Sequence, residues 1–170
     1  MTTIPKDLAK RIGVALNEAS WIDVKLEIEK ATIKCAFEVI TVDKDGKVPD
    51  DRVVIITFSP IGRIMASFRV SSYADEQQTV EKIAPSELKQ ILRDSVAPYI
   101  YGWEFINLGD KAIEDWLSKR SFDYKLQDEK GFSNTIDLFH DEGMTKQLNV
   151  RIWFDELALH DRHGNPIDME

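Results

Sequence analysis

An α+β fold is expected for this chain, in which an antiparallel sheet is covered by an N-terminal helix and two central helices. The expectation rests on three features. Apolar and polar residues alternate in two separate blocks. The links inside the first block are only a few residues long, too short for parallel crossovers. Apolar residues also recur at helical spacing at the N-terminus and again mid-chain.

The first helix is read over residues 5–17, where Ile4, Leu8, Ile12 and Leu16 stand four apart and Pro5 sits near the start. From Trp21 the period changes to two. Ile22, Val24, Leu26 and Ile28 alternate with Asp23, Lys25, Glu27 and Glu29, which predicts a strand with one wet face. A second strand follows, with Ile33, Cys35, Phe37 and Val39 inward. The run Asp43-Lys44-Asp45-Gly46 reads as a turn, and 52–58 as a central strand apolar on both faces. Ser59-Pro60-Ile61-Gly62 reads as another turn, returning 63–70 as the fourth strand of a meander.

Residues 71–83 are polar and weakly patterned, and are expected to form a loop or short helix. Helices are expected over 85–96, with Leu88, Ile91, Leu92 and Val96 on one face, and over 110–119, with Ala112, Ile113, Trp116 and Leu117 buried. Strands at 122–126, 134–140 and 147–160 complete the sheet. In the last, Leu148, Val150, Ile152 and Phe154 alternate before Leu157 and Leu159 change parity, which predicts a bulge near Asp155-Glu156.

With 170 residues, 43% of them hydrophobic, the chain is long enough for one core, and a single domain over 1–170 is expected. Residues 1–85 hold 12 Lys/Arg and 13 Asp/Glu, and residues 86–170 the remaining 10 and 17, so most of the net charge of −8 lies in the second half. That balance argues against nucleic acid and anionic membrane surfaces and favours a basic protein partner or a cation. Cys35 has no second cysteine to pair with, and no signal-like or membrane-length apolar run is present, so a cytoplasmic location is expected.

Candidate sites are few. His140, His160 and His163 all fall in the last 31 residues beside acidic neighbours and are the metal-ligand candidates. As the ends of a hairpin, His140 and His160 are expected to lie apart. The loop 41–52 places Asp43, Asp45 and Gly46 as a calcium loop would. It has Thr41 and Arg52 where such a loop needs Asp and Glu, so it is read as a hairpin connection. Asp155, Glu156 and His160 are the candidates for acid/base work.

Tyr99, Tyr101, Trp103 and Phe105 share one side of an extended segment and are the candidate partner- or ligand-binding stripe. Phosphate-binding glycine loops, nucleophile elbows and paired cysteines are absent from the sequence, and no cofactor is expected. The function read from these features is a non-enzymatic, acidic protein-interaction module of adaptor, chaperone or inhibitor type, able to form a homodimer through an unpaired strand edge. The alternative is a small metal-dependent enzyme or small-molecule-binding protein using the C-terminal His, Asp and Glu residues.

Overall fold

The computed structural model describes residues 3–41, 48–72, 77–95, 99–100, 106–107, 109, 114, 117–128, 131–142 and 145–168. Among them, α1 (Lys6–Leu16) places Ile12 and Leu16 in the core and lays Ile4 and Leu8 against it, as the four-residue spacing requires. The helix stops at Asn17, which is extended. Glu18 at φ 59° then turns the chain into β1 (Ser20–Glu27). A 3-10 turn, Ile28–Lys30, closes the hairpin to β2 (Thr32–Glu38).

β3 (Val53–Val70) pairs antiparallel with β2 and runs on for 18 residues. The short β4 (Thr79–Glu81), α2 (Leu88–Arg93) and β5 (Tyr99–Ile100) follow. They lead to β6 (Phe122–Lys125) and the long hairpin of β7 (Asn134–Glu142) and β8 (Lys146–His160). No helix among the described residues is long and apolar enough to cross a membrane.

The strand pairings close on themselves. β1 pairs β2, β2 pairs β3, β3 pairs β8, β8 pairs β7, β7 pairs β5, and β5 returns to β1 through Ser20 and Tyr99. The last joint is short. It is held by Ile100 N–H donating to the Ala19 carbonyl at 2.8 Å and Glu18 N–H donating to the Ile100 carbonyl at 3.0 Å. A closed circuit removes most free edges. The outer edge of β3 beyond β2 is taken by β6 and then β4, and the tail bonds back to β8 through Ile167 and Leu159.

The inside of the circuit is the core. Trp21 stacks on Phe37 with ring centroids 6.0 Å apart, and Phe58 meets Phe154 edge-on at 4.9 Å. Cys35 is fully buried there, and desolvation pushes its thiol far above the ordinary range, so it is no nucleophile. α2 packs its buried Leu88 and Leu92 on β1.

Several expectations change. Ser59-Pro60-Ile61-Gly62 is not a turn: β3 passes straight through it, and β8 pairs alongside from Ile55 to Val70. The expected four-strand meander is therefore a three-strand one whose last strand is double length. β8 supplies the reason, since its 15 residues bond both halves of β3 continuously and leave no partner for a reversal. The parity change at Asp155-Glu156 is real, but no register shift occurs there.

Instead the opposite rung changes with it. On β3 the core side passes from Phe58 to Ile61, as on β8 it passes from Phe154 to Leu157, so both strands switch faces together. The register shift lies on β3 between Ile61 and Arg63. A second bulge, between Trp21 and Asp23, explains why Trp21 is buried while Ile22 is only half-buried, against the simple alternation.

Ile28, expected inward, is in the 3-10 turn and 45% exposed, and Leu117 is also exposed. The stretch 79–81, read as loop, is strand. The turn at 43–46 lies outside the described residues, as do Val96 at the end of the first expected central helix, whose α-helical part is Leu88–Arg93, and Ala112, Ile113 and Trp116 of the second.

Gly62 marks the bulge and a close approach to the Phe132 ring. A Cβ there would stand 2.1 Å from the Phe132 ring, and the Gly62 carbonyl accepts from both Leu126 and Gln127. Gly62→Ala should therefore cost about 1–3 kcal/mol as the ring is forced aside. Urea unfolding measures it, and a change below a few tenths would show that Phe132 does not sit there.

Candidate functional site

β7, β8 and β3 run side by side, so their outward residues form rows across the sheet. Thr135, Trp153 and Arg63 make one row, and Asp137, Arg151 and Met65 the next. Phe139, Asn149 and Ser67 follow, and Asp141, Gln147 and Arg69 end the face. The alternation of Asn149, Arg151 and Trp153 with Val150, Ile152 and Phe154 produces this face directly.

The first two rows are a buried charged layer. Arg151 and Asp137 are each about 1% exposed and form a two-pronged ion pair, with Nη2 donating to Oδ2 at 2.6 Å. Burial pushes the Asp137 carboxyl up, against the pull of that guanidinium. Arg63 grips Asp123 of β6 in the same manner at 2.7 and 2.6 Å. The guanidinium carbons of Arg63 and Arg151 lie 4.7 and 5.7 Å from the Trp153 ring centroid.

The Arg63 hydrogen bonds hold the Asp123 carboxyl below its ordinary value near 3.8. A folded-state pKa below the unfolded one means stabilisation present in full above the ordinary carboxylate range and lost as pH falls through the lowered value. Melting temperature followed from pH 6 downward should fall less steeply in Asp123→Asn than in the parent. Parallel curves would contradict the assignment.

The last two rows open into a cleft of about 230 Å³ lined by Arg69, Phe139, Asp141, Gln147 and Asn149, together with His140, one of the histidines singled out from the sequence. A chain of side chains crosses it. Arg69 Nη1 donates to Gln78 at 3.3 Å, Gln78 Nε2 donates to Gln147 at 3.0 Å, and Gln147 hydrogen-bonds Asp141. Three polar atoms on these rows are nevertheless buried without a hydrogen bond: Arg69 Nε, Asp141 Oδ1 and Ser67 Oγ. Burial pulls the Arg69 guanidinium down and pushes the Asp141 carboxyl up, and each is partly restored by the other's charge. The two ends of the cleft thus carry opposite charge with neutral amides between them.

No family model, curated protein or solved structure matches the chain. The site is therefore read from its own chemistry.

A second cleft, of about 360 Å³, holds His163 with Asp50, Asp51, Asp161 and Arg162. Three of its charged groups are already committed. Asp51 pairs Arg162 at 3.0 Å, and the Asp161 carboxylate accepts from His163 N, Asn165 N and Asn165 Nδ2 at 2.8 Å each. The Asn165 side chain leads in holding that carboxyl below the usual range.

The residues singled out from the sequence are not brought together. His140 is buried opposite Leu148, whereas His160 lies twelve residues further along β8, about 40 Å of extended chain. His163 is exposed in the turn after β8. Among the described residues no group of three or more His, Cys, Asp or Glu side chains is placed to hold a metal.

Asp155 accepts from Ser133 N at 3.2 Å, and its carbonyl accepts from Asn134 Nδ2 at 2.9 Å, so its polar atoms serve the β7 entry. Glu156, its neighbour, is exposed. Tyr101, Trp103 and Phe105, and the side chain of Tyr99, lie outside the described residues.

Arg69, Gln147 and Asn149 were not singled out from the sequence, and Asp141 figured only as a neighbour of His140. The alternations Arg63, Ser67, Arg69 and Gln147, Asn149, Arg151 show that each strand has a polar side. Which rungs meet depends on the pairing of β3 with β8, shifted at Gly62, and on that of β8 with β7.

Proposed function

We propose that this chain is a non-enzymatic binding protein whose guest is a small polar molecule, taken into the cleft formed by Arg69, Gln147, Asn149, Phe139 and Asp141. The reading retains the binding role expected from the sequence and replaces the basic protein partner with a small ligand. One observation carries it: Arg69 Nε, Asp141 Oδ1 and Ser67 Oγ, on the last two rows of one sheet face, are buried without a hydrogen bond. Buried polar atoms are nearly always paired, and each orphan costs about 1–3 kcal/mol. A ligand that supplies both an acceptor and a donor recovers that cost.

The cleft's volume of about 230 Å³ lies below the usual range for drug-sized ligands and suits a small metabolite with Phe139 as its apolar wall. The cleft groups, a guanidinium, two amides and a carboxylate, are recognition groups that hold a guest by directed hydrogen bonds.

A thermal-shift screen of small polar metabolites tests the reading. A ligand present at about a hundred times its Kd stabilises by about 2.7 kcal/mol, which for a chain of this size raises Tm by roughly 5–10 °C. The shift should vanish in Arg69→Gln and Asp141→Asn. A shift that survives both substitutions, or no shift from any compound, would overturn the proposal.

A further inference from the structure

Resting on the cleft reading above, we infer that the guest is an amino-acid-like zwitterion, its carboxylate held by Arg69 and its ammonium by Asp141. The two residues end the same row on strands β3 and β7, with β8 between them, so their Cα atoms stand two strand spacings apart, roughly 10 Å. Both residues line the cleft of about 230 Å³, which has room for a small molecule that carries both charges.

Gln147, on the strand between these two residues, lines the same cleft and is tied to Gln78 on one side and to Asp141 on the other. The relay therefore fixes both ends before any guest arrives.

The pattern of unfilled atoms selects the charge type. Arg69 Nε is a donor without an acceptor, and Asp141 Oδ1 is an acceptor without a donor. A simple anion answers the first and leaves the second buried and alone. A simple amine does the reverse and meets the Arg69 charge. A ligand with both groups answers both atoms and meets each charge with its opposite. Asn149 and Phe139, in the next row, line the same cleft and offer the ligand's side chain an amide and an aromatic wall that sort polar from apolar substituents.

Isothermal titration of the protein with the twenty standard L-amino acids at pH 7 tests the inference. Each binder is compared with its decarboxylated amine, its N-acetyl acid and its N-acetyl amide. At least one amino acid should bind, and removing either charge should weaken it tenfold or more. In Arg69→Gln the penalty for removing the carboxylate should disappear, and in Asp141→Asn the penalty for removing the ammonium. Circular dichroism and Tm confirm that both variants are folded.

Affinity should also fall on acidification as Asp141 takes up its proton, and that fall should be absent in Asp141→Asn. Equal binding of the neutral N-acetyl amide, or binding of polar compounds from the thermal screen without any amino acid, would overturn the zwitterion and leave the cleft standing. Failure of every compound would overturn both.

Discussion

Arg151→Leu should destabilise the protein by about 3–5 kcal/mol, a fall in Tm of roughly 10 °C or more, because it strands the Asp137 carboxylate at 1% exposure with no cation to answer it. The Trp153 ring also loses one of its two guanidinium neighbours. Charge alone does not set the penalty, since burial already pushes the Asp137 carboxyl up against the pull of Arg151. The double variant Asp137→Leu with Arg151→Leu should therefore recover most of the loss, replacing a costly desolvated pair by apolar contact on a face that already buries Met65. Equal destabilisation by the single and double changes, measured by urea unfolding, would mean that packing of the arginine stem and not the ion pair carries the effect.

Phe154→Ala should cost a similar amount, about 3–5 kcal/mol, from the lost ring and the cavity it leaves. Phe154 is fully buried and lies at the rung beside which β3 and β8 exchange faces, edge-on to Phe58 at 4.9 Å. Phe58→Ala alone should be comparable. Because the two rings touch, the double variant should differ from the sum of the singles by about 0.5–1.5 kcal/mol. Strict additivity would place the rings out of contact and contradict the coordinated switch of faces at this rung.

Where a single strand or helix face decided the outcome, the sequence was legible. The stripe Ile4, Leu8, Ile12, Leu16 and the inward set Ile33, Cys35, Phe37, Val39 are found as read, and the C-terminal strands begin and end within two residues of expectation. The largest difference, at the expected second turn, has a non-local physical origin. Ser59-Pro60-Ile61-Gly62 has the composition of a turn, but whether such a segment reverses the chain depends on what pairs beside it. The partner, Phe154 to Leu157, is more than ninety residues away.

The same non-local dependence hid the cleft. Arg69, Gln147 and Asp141 are spread over three strands and carry no spacing motif, and only the pairing of β3 with β8 and β8 with β7 sets them in one row. The histidines drew attention by their chemistry, but β8 carries His160 far from the rung where His140 sits.

The proposed role rests on whether Arg69 Nε–H acquires an acceptor. Its resonance in a ¹⁵N–¹H NMR spectrum reports this directly, as the protein is titrated with the compound that raises Tm most. The expected result is a shift and slowed solvent exchange of Arg69 Nε–H, together with changes in the Gln147 and Asn149 side-chain amides. An unchanged Arg69 signal at saturation, with perturbations centred instead on Asp51, Asp161 and Arg162, would contradict it.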